Sequence, residues 1–299
     1  MSADTEEAGE SDPSCGLTIL RTVRDFRATK QWRWNPALQE WSKTSYGAGA
    51  WFAPEERSFN SLAGLVDLLN TLRTDPRAFI VRGALAPWVD FALCHDPEFL
   101  IRRCKHKRPD TAPTLVEVPR RWLMIDIDNW PLPSWGDLAE DPETPIDTAI
   151  YELLPEPFHD AECWWQLSSS AGFSPGFLKV HLFYWLSEPA TNEHIKAVLK
   201  QHAPGVDRAP FSAAQPHYIA DPIIEGGHDP IPRRCGWRRG LEPTVVLPQL
   251  RPEGERARPT GAGTGPRAGD IRDALASLGD GEGRDGFPIV SQPPILERP

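Results

Sequence analysis

The run Trp122-Leu123-Met124-Ile125-Asp126-Ile127-Asp128 constrains this chain more than any other stretch: it is apolar and β-prone, and it closes on two acids two residues apart. Side chains at i and i+2 of a strand share a face, so Asp126 and Asp128 are expected to point the same way. Leu123, Ile125 and Ile127 then face a core on the opposite side. Two like charges at the end of an apolar strand repel unless a cation or a proton relieves them, and a rigid strand presenting paired carboxylates is a common start for a divalent-cation site. As a bare tripeptide, Asp-x-Asp is also a solvated strand end. The rest of the chain must therefore supply a third ligand and a substrate.

A second strand is predicted over 177–186, where Leu178, Val180, Leu182, Tyr184 and Leu186 make one apolar face. Lys179 and His181 project together from the other. They follow the loop 168–176, whose Ser168, Ser169 and Ser170 offer hydroxyls and backbone N–H groups, so the combination reads as a receptor for a triphosphate. The third acid is Asp207, in Gly205-Val206-Asp207-Arg208, where a strand is expected to return to the sheet. Two carboxylates on one strand and a third on a neighbour can hold two Mg²⁺ or Mn²⁺ ions, which acidify an attacking 3′-hydroxyl and neutralise charge on a leaving pyrophosphate.

Charge is distributed in a way that the net value of -10 conceals. Residues 1–14 hold Asp4, Glu6, Glu7, Glu10 and Asp12 and no Lys or Arg, as expected of a disordered acidic tail, drawn here as 1–16. Residues 101–121 hold seven basic side chains against two acids, and Arg233, Arg234, Arg238 and Arg239 form a second cluster. Two basic patches flanking a carboxylate site suit a polyanion lying across it. The five cysteines are scattered with no C-x-x-C pair, so neither a disulfide framework nor a standard zinc ribbon is indicated, and Cys94-His95 with Cys104-x-His106 would make an awkward zinc site. No apolar run approaches the roughly 18 residues of a membrane span, and the acidic start lacks the pattern of a signal peptide; a cytoplasmic protein with no membrane partner is the expectation.

The remaining pattern alternates strands and helices. Strands are predicted at 17–23, 78–82 and 162–167, and helices at Leu62 to Leu72 behind Ser58 or Ser61, from about Ile146 to Leu154, and after Thr191 to about His202. The Trp-rich segment 32–52 reads as an irregular, aromatic-anchored loop. This is an α+β fold, with a partly antiparallel sheet and helices packed on it. One catalytic domain is assigned to 17–247. From 248 to 269 the composition becomes that of a disordered linker, and 270–299 holds one short amphipathic helix and an unstructured tail.

The order Asp-x-Asp, Lys-x-His, hydrophobic-Asp resembles the archaeo-eukaryotic primase superfamily, specifically the primase-polymerase domains of phages, plasmids and integrated elements. The resemblance covers roughly residues 75–247, including Gln215-Pro216-His217-Tyr218-Ile219-Ala220-Asp221-Pro222-Ile223 and Asp229-Pro230-Ile231-Pro232-Arg233-Arg234. It implies that Asp126, Asp128 and Asp207 bind two catalytic Mg²⁺ or Mn²⁺ ions and that His181 contacts the nucleotide phosphates, these four forming the catalytic set. It further implies roles for Ser169, Ser170, Lys179 and Arg234 near phosphate or base pair. Lys179 departs from the pattern, since many members have a small residue there. The resemblance implies an RNA-recognition-motif-like catalytic sheet with a smaller N-terminal α/β part, a single-stranded nucleic-acid template and nucleoside triphosphates as partners, and a helicase acting in trans or lost by truncation, with 270–286 as the entrance to it. The function expected is template-directed nucleotidyl transfer for a mobile element. The alternatives are a nucleotide-sugar glycosyltransferase, which requires a parallel α/β nucleotide-binding half before the motif, and a non-catalytic nucleic-acid-binding domain.

Overall fold

The computed structural model describes residues 12–251 apart from 25, 46, 48, 90–92, 95–98, 105–111 and 174. The expectations for 1–11, for the linker beyond 251 and for the 270–299 helix and helicase entrance fall outside the described residues. So do His95 and His106 of the zinc quartet. All elements below belong to one compact unit that ends at Leu250.

Paired alternation builds the central sheet. Its strands are β9 (Arg120–Pro131), β10 (Cys163–Leu167), β11 (Phe177–Ala190) and β13 (Cys235–Arg238), in the antiparallel order β13-β10-β11-β9. Helix α2 (Glu143–Leu153) lies between β9 and β10 in the chain, and α3 (Asn192–His202) follows β11. The succession is therefore β-α-β-β-α-β, with the closing strand beside β10. One face carries Leu123, Ile125, Ile127, Leu178, Val180, Leu182, Tyr184 and Leu186 against Ile146 and Ile150 of α2 and Ile195 and Leu199 of α3. Its apolar residues are those expected from the period of two. Thr191 caps α3 by accepting the N–H of His194 at 3.1 Å.

The other face is apolar for only half its length. Trp122, Met124, Trp164, Phe183 and Trp185 pack against Leu62, Leu65, Val66 and Leu69 of α1 (Leu62–Leu72), whose cap is Ser61. Beyond them along the same face the side chains become Asp126, Asp128, Gln166, Lys179 and His181. Loss of apolar cover at this point leaves room for a site.

The N-terminal part is a sheet of order β5-β1-β4-β7, formed by β1 (Gly16–Thr22), β4 (Trp51–Ser58), β5 (Ala78–Val81) and β7 (Ile101–Arg102), antiparallel throughout. A short pair, β6 (Ala84–Leu85) and β8 (Leu115–Val116), lies beside it in the chain. Buried Arg82 ties this part to the central sheet, donating to Asn192 Oδ1 at 2.7 Å, to the Ala190 carbonyl at 3.0 Å and to the Trp122 carbonyl, with its guanidinium 5.0 Å from the Trp122 ring.

Four expectations are corrected. The segment 32–52 is not an irregular loop: β2 (Gln31–Asn35) and β3 (Glu40–Thr44) form a hairpin, extended by β12 (Ile223–Glu225) lying parallel to β2. Asn35 closes its turn by accepting the N–H groups of Ala37 and Leu38, and the cross-strand pair Trp34–Trp41 supplies aromatic contact. The acidic tail stops earlier than 16, because Asp12 caps a 3-10 turn over Pro13–Cys15 and Trp122 Nε1 donates to the Gly16 carbonyl at 2.9 Å. Helix α2 begins before Ile146, where Asp141 accepts from the Thr144 N–H and hydroxyl. Asp207 lies in a coil, not a strand: Pro204 and Pro210 interrupt any ladder, and its carboxylate accepts the Ala209 N–H at 2.9 Å in an Asx turn.

Candidate functional site

A cleft of about 360 Å³ opens where the sheet turns polar, and its walls come from four parts of the chain. They include Met124, Asp126 and Asp128 of β9, Lys179 and His181 of β11, Asp207 and His217, the loop Ser168–Ser170, and Lys30 and Lys43.

Strand pairing sets the acid side. His181 is the cross-strand partner of Asp126, with Nε2 3.7 Å from Oδ1. One step along, Leu178 pairs with Trp130 and Val180 with Ile127, so Asp128 and Asn129 both lie opposite Lys179. This is a β-bulge, and Asn129 takes the left-handed φ of 59° that it requires. Lys179 answers both residues, its ammonium lying 2.6 Å from Asp128 Oδ1 and bonding the Asn129 amide oxygen. Burial raises the carboxyl pKa of Asp126; nearby His181 opposes this, while the Asp128 and Asp207 charges add to it. Three carboxylates thus act on one another across the cleft. Hard oxygen donors of this kind suit Mg²⁺ or Mn²⁺. Among the described residues, however, no three His, Cys, Asp or Glu side chains stand together so that they could hold a metal ion by themselves. A cation here would need a substrate and water to complete its ligands.

The Ser loop is fixed by aromatic and ionic contacts that sequence reading did not foresee. Trp32 stacks on Phe173 with centroids 4.1 Å apart and planes 8° apart, and its Nε1 donates to the Ser169 carbonyl at 2.8 Å. Trp41 meets the same Phe173 edge-on. Gly172 has φ 83°, and a Cβ there would come within 2.6 Å of Ile231 Cγ1, so the turn requires glycine.

The candidate residues separate into two groups. Asp126, Asp128, Asp207, Ser169, Ser170, Lys179 and His181 all line the cleft. Arg234 does not: it is 4% exposed and spends its guanidinium on both oxygens of Asp229 and on the carbonyls of Ser168 and Ala171. It ties the Ser loop to Asp229 and does not line the cleft.

Sequence reasoning missed Lys30, Lys43 and Trp32, which reach the cleft only because the hairpin folds across it. It also gave no role to His217, whose backbone pairs with Ile80 and whose ring is 2% exposed with both nitrogens unpartnered among the described residues. Burial, helped by the Arg82 and His181 charges, pushes its pKa down to about 3, so the ring is neutral. Its place within 215–223 was the available signal, but that stretch does not tell ring from backbone duty.

No protein-family model, curated protein or solved structure matches this chain. Among the described residues no helix is long and apolar enough to cross a membrane.

Proposed function

We propose that the protein is a metal-dependent, template-directed nucleotidyl transferase, a primase or primer-extending polymerase serving a mobile element. The observation that carries this reading is the junction of β9 and β11: Asp126 paired with His181 and Asp128 paired with Lys179, with Asp207 lining the same cleft. The β-α-β-β-α-β succession of the sheet, with the motif residues on its first and third strands, agrees with an RNA-recognition-motif-like catalytic core.

In this reading a 3′-hydroxyl attacks the α-phosphorus of a nucleoside triphosphate; the new O–P bond forms as the bond to the β-phosphate breaks and pyrophosphate leaves. Asp126, Asp128 and Asp207 would hold Mg²⁺ or Mn²⁺, which supplies neutralisation of the leaving group and acidification of the hydroxyl. His181 presents Nε2 at the floor, where it can donate to a phosphate oxygen. Lys179 balances Asp128 and would be free to meet a phosphate oxygen were a cation to neutralise that carboxylate. Ser169 and Ser170 offer hydroxyl and backbone donors along the phosphate chain.

The antiparallel N-terminal sheet is not the parallel α/β half that a nucleotide-sugar glycosyltransferase requires, and this favours the polymerase reading over that alternative. The deciding experiment incubates the protein with single-stranded DNA, nucleotides and Mn²⁺. Template-dependent product that disappears in Asp126→Asn/Asp128→Asn supports the reading. Absence of product from the wild-type protein, or product undiminished by the double substitution, refutes it; unchanged DNA binding by an inactive wild-type protein would point to the non-catalytic alternative.

A further inference from the structure

The cleft carries more positive charge on its hairpin side than the fold uses. Lys30, at the entrance to β2, is half-buried, and its ammonium lies 2.9 Å from the Ser170 hydroxyl. Lys43 on β3 is the register partner of Trp32 and sits 6.0 Å from the centre of its ring. Among the described residues neither lysine pairs with a carboxylate, whereas basic residues elsewhere do: Arg21 with Glu55 and Asp75, Arg73 with Asp221, Arg33 with Glu225. Burial lowers the Lys30 pKa and the Lys43 and Lys179 charges lower it further, while the Asp128 and Asp126 charges act against them. Three ammonium groups line one cleft, and among the described residues Lys179 alone of the three has a carboxylate within ion-pair distance. A polyanion entering from the solvent relieves that repulsion.

The layout gives the anion a direction. Asp126 and Asp128 on β9 lie across from His181 and Lys179 of β11, Ser168 is joined to Lys179 by its backbone N–H, and Lys30 reaches the Ser170 hydroxyl from the hairpin side. Trp32 clamps hairpin and Ser loop through Phe173, so these donors keep a fixed spacing. We propose that Lys30 and Lys43 seat the outer phosphates of a triphosphate chain, making the β2–β3 hairpin the element that selects nucleoside triphosphates over monophosphates. This rests on the nucleotidyl-transfer reading for the chemistry but not for the binding.

The test is titration of the full chain with dATP and with dAMP in Mn²⁺ without template, and competition by inorganic tripolyphosphate. The wild-type protein prefers dATP and is competed by tripolyphosphate. Lys30→Gln/Lys43→Gln weakens dATP binding about thirtyfold, as expected for loss of one half-buried and one exposed charge-assisted contact, and changes dAMP binding less than about twofold. Lys43→Gln alone, at an exposed position that the fold does not depend on, weakens dATP about threefold, and Lys30→Arg/Lys43→Arg keeps the preference. No wild-type preference for dATP, equal losses for both nucleotides, or unchanged dATP binding overturns the proposal. A protein that binds dATP in this lysine-dependent way yet extends no primer refutes the polymerase reading and leaves this inference standing; one that extends primers with no lysine-dependent preference does the reverse.

Discussion

His181 on β11 and Asp126 on β9 are direct cross-strand partners, with imidazole Nε2 3.7 Å from the carboxylate. Antiparallel pairing thereby places an imidazole beside a carboxylate without any loop having to find the geometry; under the proposed function these are the phosphate donor and a ligand of the cation. The cost falls on Asp126, held at the base of the cleft with only 30% of its side chain exposed and with two further carboxylates acting on it.

From this follows a stability prediction opposite in sign to the activity prediction. The folded pKa of Asp126 is raised, so the fold binds its proton more tightly than the unfolded chain does, and stability is lost as pH rises from the unfolded value through the folded one. In chelator-containing buffer at pH 7, Asp126→Asn should melt higher than the wild-type protein, with the gap closing as pH falls towards 4. Calorimetry across that range checks it; a lower melting temperature at pH 7 would contradict it.

His217 predicts an acid limb. Its folded pKa of about 3 lies below the ordinary histidine value, so the unfolded chain takes up a proton that the fold refuses. Stability is unaffected above pH 6.5 and falls by up to about 1.4 kcal/mol per pH unit below it, until the folded pKa is reached. His217→Phe should flatten this slope between pH 6 and 4, as measured by urea unfolding, whatever its effect at pH 7.

Arg82 predicts a specific intolerance. Its fork bonds Asn192 and two backbone carbonyls inside the protein, and among the described residues no carboxylate bonds it directly. Arg82→Met leaves those carbonyls unsatisfied and should cost about 3 kcal/mol in chemical denaturation. Arg82→Lys should recover little, because one ammonium does not span acceptors arranged for a planar fork.

Trp32 predicts a coupled loss. Trp32→Ala removes the stack on Phe173 and the bond to Ser169, and should cost about 3 kcal/mol of stability together with nucleotide affinity. Trp32→Phe keeps the stack and drops the N–H, so most stability should return while the Ser loop stays looser. Thermal melts paired with nucleotide titration separate the two.

Local pattern alone was enough for the two long central strands but not for β2 and β3, which read as loop. The period of two in 122–128 and 177–186 set which side chains share a face, because strand geometry allows no other arrangement; it put Asp126 with Asp128 and Lys179 with His181, while the order of the motifs and their resemblance to a family joined the two pairs. Caps at Ser61 and Thr191 were equally legible, since a helix start is decided by its neighbouring residues.

Tertiary structure decided the rest. The bulge that sets Asp128 and Asn129 against Lys179, the removal of Arg234 from the cleft, the coil at Asp207 and the arrival of Lys30, Lys43 and His217 all depend on contacts between residues far apart in the chain. Such contacts leave no periodic trace, because each residue answers to a partner in another element rather than to its neighbours. The sequence by itself therefore determined which acids share one strand face and that Lys179 and His181 share another, and only the fold decided that they line one cleft with a tryptophan-anchored hairpin and two lysines that have no carboxylate partner among the described residues.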